Sequence, residues 1–336
     1  MQSFWQGKKV LITGGAGFIG SNLAAQLVAL GSRVRVVDNL ERGKLEYLEP
    51  VSNQVEFLQM DLTENRSCEQ ACRGMEIVFH LASKVGGIGY YLAKPGEVIL
   101  KNVLMDTLML QAVLKAKIGF YLYTSSAHVY PIELQLRPDA PPIKEEQAYP
   151  ANPELSYGWA KLLAEKQIEC HIQEGEPLRA SIVRLIGAFG KNQDLDLATG
   201  SAIPVFCRRA IEYPQRKPFI IWGSGEETRS YCFIDDVVDG MLQSVKKLTE
   251  HQLLGPINLG SEERVSIREL AELIIGISGK PIEIVKDTSK PTTIFGQAVD
   301  CSKARKLLNG WNPKTSLRAG VEKTYNHVKN RLIGSS

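Results

Sequence analysis

Tyr157 and Lys161 are the pair of side chains in this chain best suited to chemistry. They are four residues apart, so on a helix they share one face and the Lys161 ammonium can lie near the Tyr157 phenol. A nearby cation brings the pKa of a phenol down towards neutrality, and such a phenol can remove a hydroxyl proton while a hydride leaves the same carbon. The pair predicts Tyr157 as acid/base of a redox reaction, with Lys161 as its electrostatic partner and ribose ligand. The hydroxyl of Ser126, at the end of a predicted strand, can hydrogen-bond the reacting oxygen.

Three glycines, Gly14, Gly17 and Gly20, follow a short apolar run at 8–12 and precede helically spaced apolar residues at 18–30. Strand, glycine loop and helix in this order are typical of a dinucleotide-binding site. Gly14 permits the tight turn, Gly17 lets the backbone approach a pyrophosphate, and Gly20 lets helix and sheet pack closely. The pyrophosphate would lie at the helix N-terminus, where free N–H groups and the helix dipole favour negative charge.

Asp38 ends the next predicted strand, which is the position expected for a ribose-binding acid. A carboxylate there would repel a 2′-phosphate, so the sequence favours NAD over NADP as the cofactor. Arg42 and Lys44 could bind a phosphate or be solvated loop charges, and the sequence leaves both interpretations open.

These side chains must be positioned by strands that alternate with helices. Apolar runs predict strands at 8–12, 33–38, 55–60, 76–82, 119–126 and 180–185, and helical patterns lie at 18–30, at 97–117 and around Tyr157. Such alternation implies a parallel sheet with helices on both faces. We therefore predict an α/β protein with a Rossmann-type doubly wound parallel sheet.

Beyond residue 185 the alternation ends, and loops at 187–199 and 223–228 flank a predicted helix at 203–213. We predict a dinucleotide-binding domain of residues 1–185, to which 233–260 return. A smaller C-terminal α/β substrate domain would comprise 186–232 and 261–333. The proline-rich stretch 131–153 is too long for an ordinary connection and predicts a lid or a binding loop.

Composition excludes several classes of function. Hydrophobic residues make up 44% and charged residues 23% of the 336 residues, as is ordinary for a soluble globular protein. The net charge of +3 comes from interspersed charges without a Lys/Arg stripe, so no nucleic-acid partner is expected. The six cysteines form no metal-binding spacing, and no metal is expected. The N-terminus has no apolar stretch of signal-peptide length, and no apolar run could span a membrane. We expect a cytoplasmic protein without a membrane partner.

The motifs together resemble those of the extended short-chain dehydrogenase/reductases that act on nucleotide sugars. The matching segments are 13–20, Asp38, 61–62, 80–83, Asn102, 125–130, 157–161, 228–230 with 233–236, and 258–261. Within that family the chain is most similar to GDP-mannose 3,5-epimerase and GDP-fucose synthase, through segments 81–89, 202–209 and 222–225.

The resemblance implies the ligands and the residues that bind them. The cofactor would be NAD, and the substrate a nucleotide-diphosphate sugar, a GDP-sugar in preference to a UDP-sugar. The implied cofactor-binding residues are Gly14, Gly17, Phe18, Ile19, Gly20, Asp38, Asn39, Asp61, Leu62, Leu81, Ala82, Ser83, Asn102, Ser125, Tyr157, Lys161 and Leu185. The implied substrate-binding residues are Gly86, Gly87, Ser126, His128, Ile203 and Arg229. Arg229 would bind the pyrophosphate through bidentate hydrogen bonds, and the alternative is an ion pair with Glu226 or Glu227. Relatives form dimers through two helices, which implies a homodimer here through the helices around Asn102 and Tyr157.

Those enzymes oxidise C4 with NAD, invert carbons made acidic by the ketone, and then return the hydride. The chain departs from them at three positions: His128 replaces a catalytic cysteine, Ser201 replaces a lysine or histidine, and Gln297 replaces a phosphate-binding arginine. The 4,6-dehydratases place a glutamate where His128 lies. His128 is either a catalytic proton shuttle or a hydrogen-bonded histidine that only shapes the sugar pocket.

The expected function is that of an NAD-dependent nucleotide-sugar epimerase with a 4-keto intermediate, either GDP-mannose 3,5-epimerase-like or a 4-epimerase. The alternatives are a net C4 oxidase or reductase and a 4,6-dehydratase. A non-catalytic NAD-binding regulator is an alternative of another class, and the presence of Tyr157 argues against it.

Overall fold

Short apolar runs form the central strands, because a parallel sheet covered on both faces buries every side chain of a strand. The structure, a computed structural model, describes residues 2–289 and 294–333. The strands are β1 (Lys9–Thr13), β2 (Arg33–Asp38), β3 (Val55–Gln59), β4 (Ile77–His80), β5 (Phe120–Ser126), β6 (Ala180–Leu185), β7 (Ala188–Phe189), β8 (Phe219–Trp222), β9 (Thr228–Ser230), β10 (Cys232–Phe233), β11 (Leu253–Leu259), β12 (Arg264–Ser266), β13 (Ile284–Asp287) and β14 (Gly296–Gln297). The helices are α1 (Gln2–Trp5), α2 (Phe18–Ala29), α3 (Asn65–Cys72), α4 (Ile88–Ala93), α5 (Pro95–Lys115), α6 (Ser156–Gln173), α7 (Ala202–Ile211), α8 (Ile234–Lys247), α9 (Ile267–Ser278), α10 (Ser302–Leu307) and α11 (Leu317–Ile333).

Seven parallel strands form the main sheet, in the order β11-β6-β5-β4-β1-β2-β3. The strand order reverses between β1 and β4, where Thr13 pairs with His80 at the carboxyl ends of the two strands. In open α/β sheets ligands bind at such a reversal. The predicted doubly wound α/β fold is confirmed.

The two faces of the sheet bury separate clusters of side chains. Val10 and Ile12 face α2 and α8, whereas Leu11 and Val78 face α5 and α6. This division follows from the alternation of side chains along a strand. The helices that carry the candidate site are therefore fixed to the sheet by extensive apolar packing.

Strand β11 was not predicted from the sequence. It contains Gly255-Pro256, and its pairing with β6 shifts register between Leu254 and Ile257. Glycine and proline next to each other are typical of a turn, so the strand pattern is interrupted.

The remaining strands form small sheets beside the main one. Strand β13 pairs with β8, β10 pairs with β7, and β9 lies between β12 and β14. Helices α7, α9 and α11 pack on one another in the same region.

Hydrogen bonds hold the segment 131–153, predicted as a lid or a binding loop, to the C-terminal region, and they argue against a lid. The Ile143 amide donates to the Ala298 carbonyl at 2.9 Å, and Arg264 donates to the Pro138 carbonyl at 2.8 Å. The buried Glu145 carboxylate accepts from the Asn258 amide at 2.8 Å. Two short 3₁₀ helices, Ile132–Gln135 and Glu145–Ala148, give the segment regular structure.

Candidate active site

The glycine loop packs tightly between α2 and the end of β4. Gly14 has a φ of +65°, and a β-carbon there would lie 2.9 Å from the Ala82 Cα. A β-carbon on Gly20 would collide with the Gly14 carbonyl oxygen. Gly17 caps α2 without a side-chain hydrogen bond, so the first N–H groups of the helix remain available to an anion.

Asp38 is buried beside this loop and holds it in place. Its carboxylate accepts from the Ala16 amide at 3.1 Å and from the Leu40 amide at 2.8 Å. Burial raises the pKa of Asp38, and these two hydrogen bonds oppose that rise.

The nearby cations Arg42 and Lys44 have partners of their own. Arg42 donates to an Asp194 carboxylate oxygen and to the Val85 carbonyl oxygen, both at 3.0 Å. The Lys44 ammonium lies 5.9 Å from the centroid of the Tyr47 ring. Both contacts favour the interpretation of these residues as loop charges over that of phosphate ligands.

Sixteen of the implied cofactor-binding residues line one cavity of about 370 Å³. They are Gly14, Gly17, Phe18, Ile19, Gly20, Asp38, Asn39, Asp61, Leu62, Leu81, Ala82, Ser83, Ser125, Tyr157, Lys161 and Leu185. Thr124 also lines this cavity, and its buried hydroxyl oxygen has no hydrogen-bond partner among the described residues. The glycine cradle, the acid at Asp38 and this unpaired hydroxyl fit a bound dinucleotide. We refer to this space as the cofactor cavity.

Asn102 differs from the other implied cofactor ligands because it lies behind the cavity wall. Its amide donates to the Lys84 and Val98 carbonyl oxygens at 3.0 and 2.8 Å. Its side-chain oxygen accepts from the Ser83 hydroxyl at 2.7 Å and from the Lys84 amide at 2.9 Å. Asn102 therefore positions the loop after β4.

Tyr157 and Lys161 lie on one face of α6, and both are buried at the cofactor cavity. Burial raises the pKa of Tyr157 to about 12, the Ser83 hydrogen bond lowers it, and the negative charge of Asp106 raises it. The expectation of a phenol pKa near neutrality is therefore wrong in this structure. The physical reason is that burial disfavours the charged form of the phenol, and the negative charge of the Asp106 carboxylate adds to the rise.

An aromatic cluster surrounds the Tyr157 ring. Tyr91 stacks on it with ring centroids 5.3 Å apart, and His128 approaches edge-on with centroids 5.8 Å apart. Gly158 permits this approach, since a β-carbon there would collide with the His128 carbonyl oxygen.

A second cavity of about 490 Å³, which we call the substrate cavity, lies on the other side of this cluster. Of the implied substrate-binding residues, those that line it are Gly86, Gly87, His128 and Arg229. Ser126 lines the cofactor cavity instead, and its hydroxyl accepts from the His128 amide at 3.3 Å. Ile203 is 1% exposed and belongs to the hydrophobic core.

His128 lines the substrate cavity and contacts Tyr157, which lines the cofactor cavity. Burial lowers the pKa of His128 to about 4, and the positive charge of Arg229 adds to that effect. Its imidazole is therefore neutral at neutral pH and can accept a proton.

Arg229 lies in the wall of the substrate cavity with its guanidinium bound to backbone. It donates to the Thr228 and Ile294 carbonyl oxygens, both at 2.8 Å. Glu226 forms an ion pair with Arg268 at 3.3 Å, and Glu227 accepts from the Ser224 amide at 3.0 Å. Within the described part of the chain, the alternative of an Arg229 ion pair with these glutamates is wrong.

Sequence reasoning missed several side chains of the site. Tyr91 carried no assigned role, yet it stacks on Tyr157. Thr124 precedes the motif serines and was passed over, although its hydroxyl lines the cofactor cavity. Position next to the glycine-rich segment 86–89 was the one signal that could have suggested Tyr91.

A family model described as the NAD dependent epimerase/dehydratase family matches residues 10–260, from β1 through β11. The chain belongs to this family. It is 30% identical to GDP-mannose 3,5-epimerase of Arabidopsis thaliana over 333 residues, 98% of this chain and 85% of that protein. It is 28% identical to UDP-glucuronic acid decarboxylase 1 of the same plant over 328 residues, 97% of this chain and 71% of that protein.

Solved structures share the fold of this chain. UDP-glucose 4-epimerase from Thermotoga maritima, solved with UDP-glucose, superposes with a TM-score of 0.85 at 26% identity, covering 96% of this chain and 99% of that one. UDP-glucose 4-epimerase from Thermus thermophilus, solved with NAD, gives a TM-score of 0.82 at 24% identity, covering 95% and 98%. The protein is an NAD-dependent enzyme of the nucleotide-sugar epimerase/dehydratase family. None of the helices within residues 2–289 and 294–333 has the length and apolarity to cross a membrane.

Proposed function

We propose that the protein is a nucleotide-sugar epimerase that oxidises C4 of the sugar, inverts a carbon and reduces C4 again. The observation that supports this is the contact between Tyr157, at the cofactor cavity, and the neutral imidazole of His128, at the substrate cavity. Tyr157, the proposed acid/base for the C4 hydroxyl, thus lies beside His128, the proposed base for a proton on a neighbouring carbon.

In the proposed mechanism, Tyr157 takes the C4 hydroxyl proton and Ser126 hydrogen-bonds the same oxygen. NAD, when bound, accepts the C4 hydride and later returns it. The ketone at C4 acidifies the C–H bonds at C3 and C5, and His128 accepts a proton from one of them. Inversion is complete when a proton from solvent is delivered to the opposite face of that carbon. The stacked Tyr91 ring keeps Tyr157 in place and excludes water from it.

A GDP-sugar is the preferred substrate in this proposal, supported by the likeness to a GDP-mannose 3,5-epimerase over 98% of the chain. A UDP-sugar is the second candidate, supported by likeness to a UDP-glucose 4-epimerase and a UDP-glucuronic acid decarboxylase. We assign Arg229 to the pyrophosphate of either substrate. The division into a dinucleotide-binding domain of 1–185 with 233–260 and a substrate domain of 186–232 with 261–333 remains part of the proposal. A cytoplasmic location and a homodimer formed through α5 and α6 are also part of the proposal.

The test is incubation of the enzyme with GDP- and UDP-sugars in D₂O, followed by NMR of the recovered sugars. Deuterium at C3 or C5 of an inverted sugar supports the 3,5-epimerase-like reaction with His128 as base. Inversion at C4 without label supports a 4-epimerase. Release of NADH in proportion to product would overturn the proposal in favour of a net oxidase.

The control for this experiment is Tyr157→Phe, which keeps the stacked ring but removes the acid/base. We expect activity to fall by about 10²- to 10⁴-fold, as is usual for loss of a general acid/base. Full activity of Tyr157→Phe would remove the catalytic assignment.

A further inference from the structure

A carboxylate in the middle of α5, that of Asp106, is almost completely buried beneath the cofactor cavity. One oxygen lies 3.0 Å from the His80 Nε2, and the other accepts from the Tyr123 hydroxyl at 2.7 Å. The Lys161 ammonium lies 3.8 Å from the second oxygen. A buried charge is costly unless it is paired and hydrogen-bonded, and Asp106 meets both conditions.

The hydrogen bonds around Thr13 determine which nitrogen of His80 carries the proton. The Leu81 and Ala82 amides both donate to the Thr13 hydroxyl oxygen at 3.1 Å. The hydroxyl proton of Thr13 is therefore free to point to the His80 Nδ1, 2.8 Å away. Burial lowers the pKa of His80, so the ring is neutral. With Nδ1 as acceptor, its proton lies on Nε2 and is donated to Asp106.

This chain of hydrogen bonds leaves Lys161 as the cation that balances Asp106. Burial raises the pKa of Asp106, but Lys161 and the hydrogen bonds from His80 and Tyr123 oppose that rise, and the net pKa is lowered. Burial lowers the pKa of Lys161, and the charges of Asp106 and Glu165 oppose that fall. Each group therefore favours the charged form of the other.

Glu165 does not replace Asp106 in this role. Its carboxylate forms two hydrogen bonds with the Arg184 guanidinium, at 2.9 and 2.6 Å. Its charge is thus already compensated. The other titratable groups that face the Asp106–Lys161 pair are Tyr121, Tyr123, His80 and Tyr157.

We propose that Asp106 is a positioning residue for the reaction at C4, which keeps the Lys161 ammonium charged and directed to Tyr157. The Thr13–His80 chain ties this carboxylate to the ends of β1 and β4, where the dinucleotide binds. Asp106 acts through Lys161 and contacts neither substrate nor cofactor. This inference rests on the proposed function, in that it takes Tyr157 and Lys161 as the acid/base machinery.

The first test is the pH profile of kcat for Asp106→Asn, a substitution that removes the charge and keeps the shape. The negative charge of Asp106 raises the pKa of both Tyr157 and Lys161, so its removal lowers both. The profile is measured with oxidised nicotinamide bound, whose positive charge favours the phenolate. The acid limb, where Tyr157 loses its proton, and the alkaline limb, where Lys161 loses its charge, should then both move to lower pH. We expect a shift of about one pH unit, equivalent to about tenfold lower kcat on the alkaline side.

A merely structural role for Asp106 would lower kcat without moving either limb, and that result would overturn the proposal. The matched control is Asp236→Asn, which removes another buried carboxylate, one that accepts from the Lys314 and Thr315 amides at 3.1 and 3.0 Å. It should lower the Tm and leave the pH profile in place.

A second test needs no substrate and remains valid if the reaction is not an epimerisation. The Tm is measured for Asp106→Asn, Lys161→Met and the double variant. Each single variant leaves one buried charge unpaired, so each should lower the Tm, and the double variant should regain part of the loss. If Asp106→Asn does not fold, recovery of a folded double variant supports the proposal. Additive losses, or failure of the double variant to fold, would sink it.

Discussion

At the scale of single residues, the site depends on which side chains are charged. Tyr157 and His128 are both uncharged at neutral pH, because burial raises the pKa of the phenol to about 12 and lowers that of the imidazole to about 4. Burial lowers the pKa of Lys161, and the negative charge of Asp106 opposes that fall. The positive charge of a bound oxidised nicotinamide would add to that of Lys161 and favour the phenolate. Proton removal by Tyr157 is thus coupled to cofactor occupancy.

The lowered pKa of His128 has a consequence for stability at acid pH. Its folded-state pKa of about 4 lies below its ordinary value of 6.5, so the unfolded chain binds the proton first as the pH falls. Stability is therefore lost between pH 6.5 and pH 4. We expect His128→Gln to lose less stability than the wild type over this window, as measured by urea unfolding at both ends. Parallel losses in both proteins would contradict the burial of the imidazole.

At the scale of elements, α6 connects catalysis to the sheet. Tyr157, Lys161 and Glu165 follow one another at intervals of four residues and so share one face of the helix. Glu165 holds that face to β6 through the buried Arg184. The position of the acid/base therefore depends on an ion pair two turns further along the helix.

Removal of this ion pair by Glu165→Gln should destabilise the protein by about 3 kcal/mol, because it leaves the Arg184 guanidinium buried without a counter-charge. The measurement is the free energy of unfolding in urea. Glu169→Gln on the same helix is the control, since it removes an exposed pair with Lys166 at 3.1 Å and should cost less than about 1 kcal/mol. Equal effects of the two substitutions would show that the buried pair contributes little.

At the scale of the whole molecule, an apolar surface extends over the outer faces of α5 and α6. Leu100 and Leu104 are 66% and 40% exposed, and Trp159 and Leu163 are 43% and 46% exposed. Each pair is spaced by four residues, so each forms a stripe along its helix. In the proposed homodimer, the two packed helices would bury these stripes against a second copy related by twofold symmetry.

The homodimer proposal predicts that Leu104→Glu together with Leu163→Glu yields a monomer, because a charge on each stripe opposes burial of the face. Sedimentation equilibrium measures the mass. Leu136→Glu is the control, since that leucine is 53% exposed on the 131–153 segment, away from both helices. A monomeric mass for the unmodified protein would contradict the proposal, as would a dimeric mass for the double variant.

Much of the fold could be predicted from local pattern. The bounds of β2 and β6 were predicted correctly, because each is a continuous apolar or alternating run with clear ends. The glycine loop was placed correctly because its spacing reflects a local backbone requirement. Strand β11 was missed because Gly255 and Pro256 interrupt its pattern.

The parts of the site that could not be predicted depend on contacts between distant segments. The stacking of Tyr91 on Tyr157 and the pairing of Asp106 with Lys161 join residues more than fifty positions apart. In neither pair does the separation along the sequence match a helix or strand period that would predict the contact. Burial of the phenol, with the charge of Asp106 adding to it, also reversed an expectation about Tyr157 that was sound for an isolated helix.

Helix α6 packs through Gly158 against the main chain of His128. The placement of the helix there depends on the backbone, whereas the proposed chemistry at position 128 depends on the side chain. Since the helix rests on a carbonyl oxygen, which any residue at position 128 supplies, an exchange there removes only the edge-on ring contact with the phenol. An engineer could install cysteine or glutamate there and so change the group that meets the proposed keto sugar, while the backbone contact that seats α6 remains.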